Sequence, residues 1–162
     1  MKDPSGQAVI RRATAADAEA LSALVRAAFA EFEPLYTQAA FAATVLAPAG
    51  VLARLDESPI WVAESPSALL LGTVGTIQSG DLATIRGMAV HPLARGAGLG
   101  KRLLDEAELF AAEHHARIVE LYTTAFLYGA IRLYEGAGFE FTGETVNPNG
   151  TELLRMAKAL RP

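Results

Sequence analysis

The sequence predicts a mixed α/β fold of the α+β type, with a central sheet of about seven strands, mostly antiparallel, and four or more flanking helices. Three observations carry this. Short β-type runs crowd the middle and end of the chain, apolar residues at helical spacing mark its first third and residues 99–111, and one strand–helix–strand unit (82–124) calls for a parallel crossover. At 162 residues the chain reads as a single domain spanning 1–162, large enough to bury a core unaided.

In order along the chain, AVIRRA (8–13) reads as a short strand. Thr14 and Asp17 then form a capping-box pattern, with Asp in place of Glu, opening a helix whose buried face runs through Leu21, Leu24, Val25, Ala28, Phe29 and Phe32. Pro34 ends or bends it. A second helix is expected over about Gln38 to Ala47, interrupted by Pro48-Ala49-Gly50, with a short helical piece in VLARLDE. From Ile60 the period becomes two: IWVAE, LLLGTVGTI and LATIRGMAV are strands of an antiparallel meander, separated by SPSA and SGD turns. Leu99, Leu103, Ala107, Phe110 and Ala111 mark one face of a long helix ending near His115 or Ala116, and IVELYTT is the next strand. GAIRLYEGAG reads as a short helix closed by glycine. FEFTGETV and TELLRMAKAL form a final hairpin across Asn147-Pro148-Asn149-Gly150.

Composition excludes several classes. No cysteine exists to form a disulfide, a thiolate metal site or a cysteine nucleophile, which fits a cytoplasmic enzyme. No apolar run approaches the roughly 18 residues of a membrane span, and no secretory signal follows Lys2. A formal charge of −4 argues against nucleic acid as partner. His114 and His115 are about 100° apart on a helix, so they cannot share a metal from one face; no metal is expected. His91, before a proline at a strand end, reads as structural.

The chemistry concentrates in HPLARGAGLGKRLLDEA (91–107), where a strand ends, Pro92 blocks its continuation and a helix opens at Gly98–Gly100. The first N–H groups of a helix lack internal partners and carry partial positive charge, and glycine lets an oxyanion approach them. Arg95, Lys101 and Arg102 add charge, and Arg95 has the geometry for a bidentate contact. A P-loop would need Gly at 95 and Ser or Thr at 102, where both residues are Arg; a dinucleotide fingerprint would need its third glycine at 101.

Arg95-Gly96-Ala97-Gly98-Leu99-Gly100 matches the [QR]-x-x-G-x-[GA] signature of the GNAT superfamily of acyl-CoA-dependent N-acyltransferases. Its setting, MAVHPLARGAGLGKRLLDEAE, resembles that family's strand–loop–helix. AIRLYEGAGFEFTGE (130–144) resembles its second signature, a helix carrying a tyrosine before a Gly-Phe turn, and IWVAE and LLLGTVGTI stand where its central strands do. The resemblance covers nearly the whole chain in order.

That resemblance implies the GNAT-like fold, with the strands 82–90 and 118–124 parallel and splayed around the cofactor, acetyl-CoA. It gives the pyrophosphate to the backbone of Arg95, Gly96, Ala97, Gly98, Leu99, Gly100 and Lys101. It gives the pantetheine arm to the backbone of Met88, Ala89 and Val90, whose N–H groups would also face the thioester carbonyl. Tyr134 matches the family tyrosine that acts as general acid at the sulfur, and Tyr128 reads as packing or rim. The family often has Asn seven residues before that tyrosine, where this chain has Leu127. No general base stands out: Glu31, Glu33, Glu64, Asp81 and Glu120 qualify by position alone, a water relay could serve instead, and the strand 82–90 has no carboxylate. Phe29, Phe32 and Tyr36 are the expected acceptor-binding residues.

The implied activity is acetyl transfer from acetyl-CoA to a primary amine, on a small molecule or a protein, by direct attack in a ternary complex. The alternative is a non-catalytic acyl-CoA-binding or sensing domain on the same fold. The family is often dimeric and the hairpin 140–159 could pair across an edge into a homodimer, but the sequence leaves the oligomeric state open.

Overall fold

The computed structural model describes residues 4–161. Seven strands form one sheet in the order β1-β2-β3-β4-β5-β7-β6. They are β1 (Val9–Arg12), β2 (Ile60–Glu64), β3 (Leu70–Ser79), β4 (Leu82–Val90), β5 (Ile118–Thr123), β6 (Glu140–Val146) and β7 (Leu153–Ala159). Every pairing is antiparallel except β4 with β5. The expected meander and parallel crossover are both present.

Five α-helices cover the sheet: α1 (Ala18–Phe29), α2 (Gln38–Thr44), α3 (Pro48–Glu57), α4 (Leu99–Glu113) and α5 (Tyr128–Gly136). Among the described residues no single helix is long and apolar enough to cross a membrane. Strand alternation divides the core in two. Trp61, Ala63, Ala83, Ile85, Val119 and Leu121 face Leu99, Leu103, Leu104 and Ala107 of α4, with Tyr134 and Phe139 in the same layer. Ile60 and Val62 face the other way, onto Leu21 and Val25 of α1, Phe41 of α2 and Val51 of α3.

The predicted start of the first helix holds, tightened by a 3₁₀ turn at Ala15–Asp17. The Asp17 carboxylate accepts the Thr14 N–H at 2.8 Å and two N–H bonds from Arg11 at 2.8 and 2.9 Å. Three details differ from the sequence reading. Pro48 opens α3 instead of interrupting a helix, because proline at the first helical position sacrifices no hydrogen bond. Helix α2 ends at Thr44, where Val45 leaves helical geometry (φ −101°, ψ 86°). The link between β6 and β7 is a longer loop than an Asn-Gly turn, and it folds back onto α2: Thr37 donates its N–H to Thr151 Oγ1 at 2.9 Å and its hydroxyl to the Asn149 carbonyl. Thr37 also caps α2 by accepting the Ala40 N–H at 3.1 Å.

Candidate active site

The parallel contact between β4 and β5 is short. Leu82, Ala83 and Thr84 pair with Ile118, Val119 and Glu120, after which the two strands share no ladder. Beyond that point β5 stays with β7 through Thr123↔Leu154, while β4 stays with β3. A wedge therefore opens between them, and one edge of the 85–90 backbone is left without a strand partner.

A bulge shapes that edge. Thr73 and Gly75 of β3 oppose Ala89 and Arg86 of β4, so two steps on one strand match three on the other. Gly87 takes up the extra residue at φ +66°, a conformation that glycine alone adopts readily. One extra residue reverses the alternation beyond it. Met88 and Val90 consequently pack on the α4 side and Ala89 on the α1 side.

The loop after β4 leads straight into α4. Gly96 (φ +85°) and Gly98 (φ +80°) are both left-handed, and a Cβ added at either would meet open space. These two glycines serve backbone direction and leave room in front of the helix N-terminus. Gly100 differs: a Cβ there would stand 3.0 Å from Leu133 Cδ2, so it lets α4 and α5 approach. Arg95 turns its side chain away from the helix terminus, bonding the Ala28 carbonyl at 2.8 Å and pairing with Glu31. It thereby ties the loop to the end of α1. Lys101 is exposed and pairs with Asp105 at 2.8 Å.

Tyr134 is 6% exposed, its ring edge-on to Phe139. Among the described residues no hydrogen bond engages its hydroxyl. Burial pushes the phenol above its ordinary pKa, and Tyr36 adds to the rise, so the group stays protonated across the neutral range. Tyr128 is 71% exposed, on the rim. Leu127 occupies the N-cap of α5 and offers no side-chain cap, as its apolar chemistry dictates.

Phe29, Phe32 and Tyr36 do gather, and Phe126 joins them. The Tyr36 ring stands 4.9 Å from Phe126 and 6.4 Å from Phe29, and Phe32 stacks on Phe126 at 6.2 Å. Phe126 was missed by the sequence reading; its signal was a place just past the end of a parallel strand, where α/β sheets put their sites. Beside it, the Thr123 hydroxyl is buried with no hydrogen-bond partner, and the buried Thr124 hydroxyl lies against that of Tyr36.

The carboxylates are mostly engaged. Glu31 pairs with Arg95, Glu64 with Arg11, and buried Glu120 with Arg155 while accepting the Thr84 hydroxyl at 3.0 Å. Asp81 is exposed at the β3–β4 turn and Glu33 is exposed near Tyr36 in sequence. Among the described residues no group of three or more His, Cys, Asp or Glu could hold a metal. His91 accepts the Leu93 N–H at 3.1 Å, and the His114 ring stacks on Phe110.

Comparison with known proteins agrees with this geometry. Residues 56–141, which include the bulge, the glycine loop and Tyr134, match the model of the Acetyltransferase (GNAT) domain. An uncharacterised N-acetyltransferase of Methanocaldococcus jannaschii is 36% identical over 67 residues, 41% of this chain and 30% of that protein. The match thus spans about a third of that relative's length. The ribosomal-protein-alanine N-acetyltransferase of Brucella melitensis superposes with a TM-score of 0.74 at 26% identity, covering 94% of this chain and 99% of that one. The PaiA N-acetyltransferase of Thermoplasma acidophilum, solved with coenzyme A, gives a TM-score of 0.79 at 17% identity, with coverage of 94% and 99%.

Proposed function

Because the matched segment, 56–141, is more than half of the 162 residues, the chain belongs to the GNAT acetyltransferase family, and we propose that it moves an acetyl group from acetyl-CoA to a primary amine. The proposal takes residues 1–162 as one catalytic domain working in the cytoplasm. The observation that carries it is the coincidence, at one end of the sheet, of an unpaired β4 edge, open space before the α4 N-terminus and an unengaged buried phenol.

Acetyl-CoA supplies an activated acyl carbon and a thiolate leaving group. The backbone of Arg95 to Lys101 would hold its pyrophosphate, with Gly96 and Gly98 leaving the necessary space. The unpaired backbone of Met88, Ala89 and Val90 would bond the pantetheine arm and direct an N–H at the thioester oxygen. Tyr134 would give its phenolic proton to the departing sulfur; its raised pKa keeps that proton in place until then. The amine must reach the thioester uncharged. With Glu31, Glu64 and Glu120 paired with arginines, water is the route by which its proton leaves. The Phe29, Phe32, Tyr36 and Phe126 cluster would wall the acceptor. The acceptor is a small molecule or a protein amino group, the latter in keeping with the Brucella neighbour's name. A homodimer would use the hairpin of β6, an edge strand exposed at every position.

Titration calorimetry with acetyl-CoA tests the assignment. The expected result is micromolar binding to the wild type and its loss in Gly98→Asp, which sets a carboxylate where the pyrophosphate belongs. No heat with the wild-type protein would overturn it. A non-catalytic acyl-CoA-binding domain would bind equally well but release no CoA with any amine.

A further inference from the structure

A second polar feature lies on the α1 side of the sheet, under the β4 bulge. A small cavity of about 30 Å³ has largely apolar walls, from Leu21, Val25, Leu46 and Ile60, and the residues Arg54 and Arg86 also border it. Arg54 reaches over the bulge: its Nη1 lies 3.3 Å from where a Cβ on Gly87 would stand. Among the described residues no group accepts a hydrogen bond from the Arg54 side chain. Arg86 bonds Glu57 at 2.7 Å and the Ser58 hydroxyl at 3.0 Å, but its Nε is buried with no partner.

Two cations facing one apolar cavity with one largely exposed carboxylate between them is an unbalanced arrangement. Unpaired buried charge is costly, and guanidinium N–H groups are rarely left unsatisfied. Burial, and then the neighbouring Arg86, hold Arg54 below its ordinary pKa against the opposing pull of Glu57. The space is that of a few waters or of the oxygens of one carboxylate, the shape guanidinium groups match best. Arg86 and Gly87 directly precede Met88, Ala89 and Val90, so an anion held here would lie about 7 Å along the strand from the backbone given to the thioester.

We infer that Arg54 and Arg86 form a carboxylate-binding subsite for the acceptor, so that the amine acetylated carries a carboxylate a few bonds from its nitrogen. This rests on the acetyltransferase reading and narrows its substrate class. Glu31, near the aromatic cluster in sequence, is already paired with Arg95.

The test uses glutarate as a probe without an amine, and a set of matched amines. Glutarate should bind the wild-type protein by calorimetry, with and without CoA, and Arg54→Gln should lose at least tenfold in affinity. In acetylation assays, glutamate and γ-aminobutyrate should exceed n-butylamine and putrescine by tenfold or more in kcat/KM, and Arg54→Gln should erase the preference through KM. Because no group among the described residues accepts a hydrogen bond from Arg54, Arg54→Gln should melt no lower than wild type without ligand, and its acetyl-CoA affinity should be unchanged. Absence of glutarate binding to the wild type, or glutarate binding and a preference that survive in Arg54→Gln, would overturn the subsite. Loss of acetyl-CoA binding in the wild type would instead overturn the catalytic reading, and the glutarate titration would still decide the subsite alone.

Discussion

The Tyr134 hydroxyl has no hydrogen-bond partner among the described residues, so its removal leaves nothing behind unsatisfied. Tyr134→Phe should therefore change folding stability by less than about 0.5 kcal/mol in urea titration. Turnover should drop by about 10²–10⁴-fold, the usual worth of a positioned general acid, with acetyl-CoA affinity retained. Equal turnover in the variant would remove Tyr134 from catalysis. At this scale Tyr134 was legible only through the resemblance of residues 130–144 to a helix carrying a tyrosine before a Gly-Phe turn, and the structure puts it on α5. The partner of Arg95 was not. An arginine beside a helix N-terminus reads as an anion ligand, and only the folded chain brings Glu31 and the Ala28 carbonyl to it across 64 and 67 positions.

Among the elements, the first strand and helix are joined by charge. Two Arg11 N–H bonds, the largest influence on it, hold the Asp17 carboxyl below the usual carboxylate range. A depressed folded-state pKa adds stability above the unfolded value of about 3.9 and loses it as pH falls through the lower folded value. The stability gap between wild type and Asp17→Asn should thus be constant from about pH 7 to 5 and shrink below about pH 4, read by urea unfolding at each pH. The loop between β6 and β7 offers a second check. Gly150 has φ +89°, and a Cβ there would stand 2.9 Å from Thr37 Cγ2. Gly150→Ala should cost about 1–2 kcal/mol and, by lifting the loop from α2, raise KM for the amine more than it lowers kcat. The strands themselves were legible from period two. The β4 bulge was half legible: a lone glycine inside a strand is its known signal, but LATIRGMAV still reads as one regular run. The return of the β6–β7 loop onto Thr37 was not legible, since a turn dipeptide says nothing of contacts more than a hundred positions away.

For the molecule as a whole, ligand and fold are coupled through the wedge. A ligand that bridges β4 and β5 replaces the ladder those strands lack, and one that binds only the folded chain stabilises it by mass action. Acetyl-CoA at a hundred times its Kd should add about 2.7 kcal/mol, seen as a concentration-dependent rise in Tm, and Gly98→Asp should show none. The architecture was legible because strand types, turn positions and one crossover leave few arrangements. The pairing of Arg54 with Arg86 was not, because it depends on how α3 lies over the bulge. The strand order has its own consequence for biosynthesis. Strand β7, which follows β5 and β6 in the chain, belongs between them. Until it arrives, β5 has only its three-residue contact with β4, and β6 has no neighbour at all. During that interval the two unpaired edges are open to pairing with other chains, which exposes the nascent chain to aggregation.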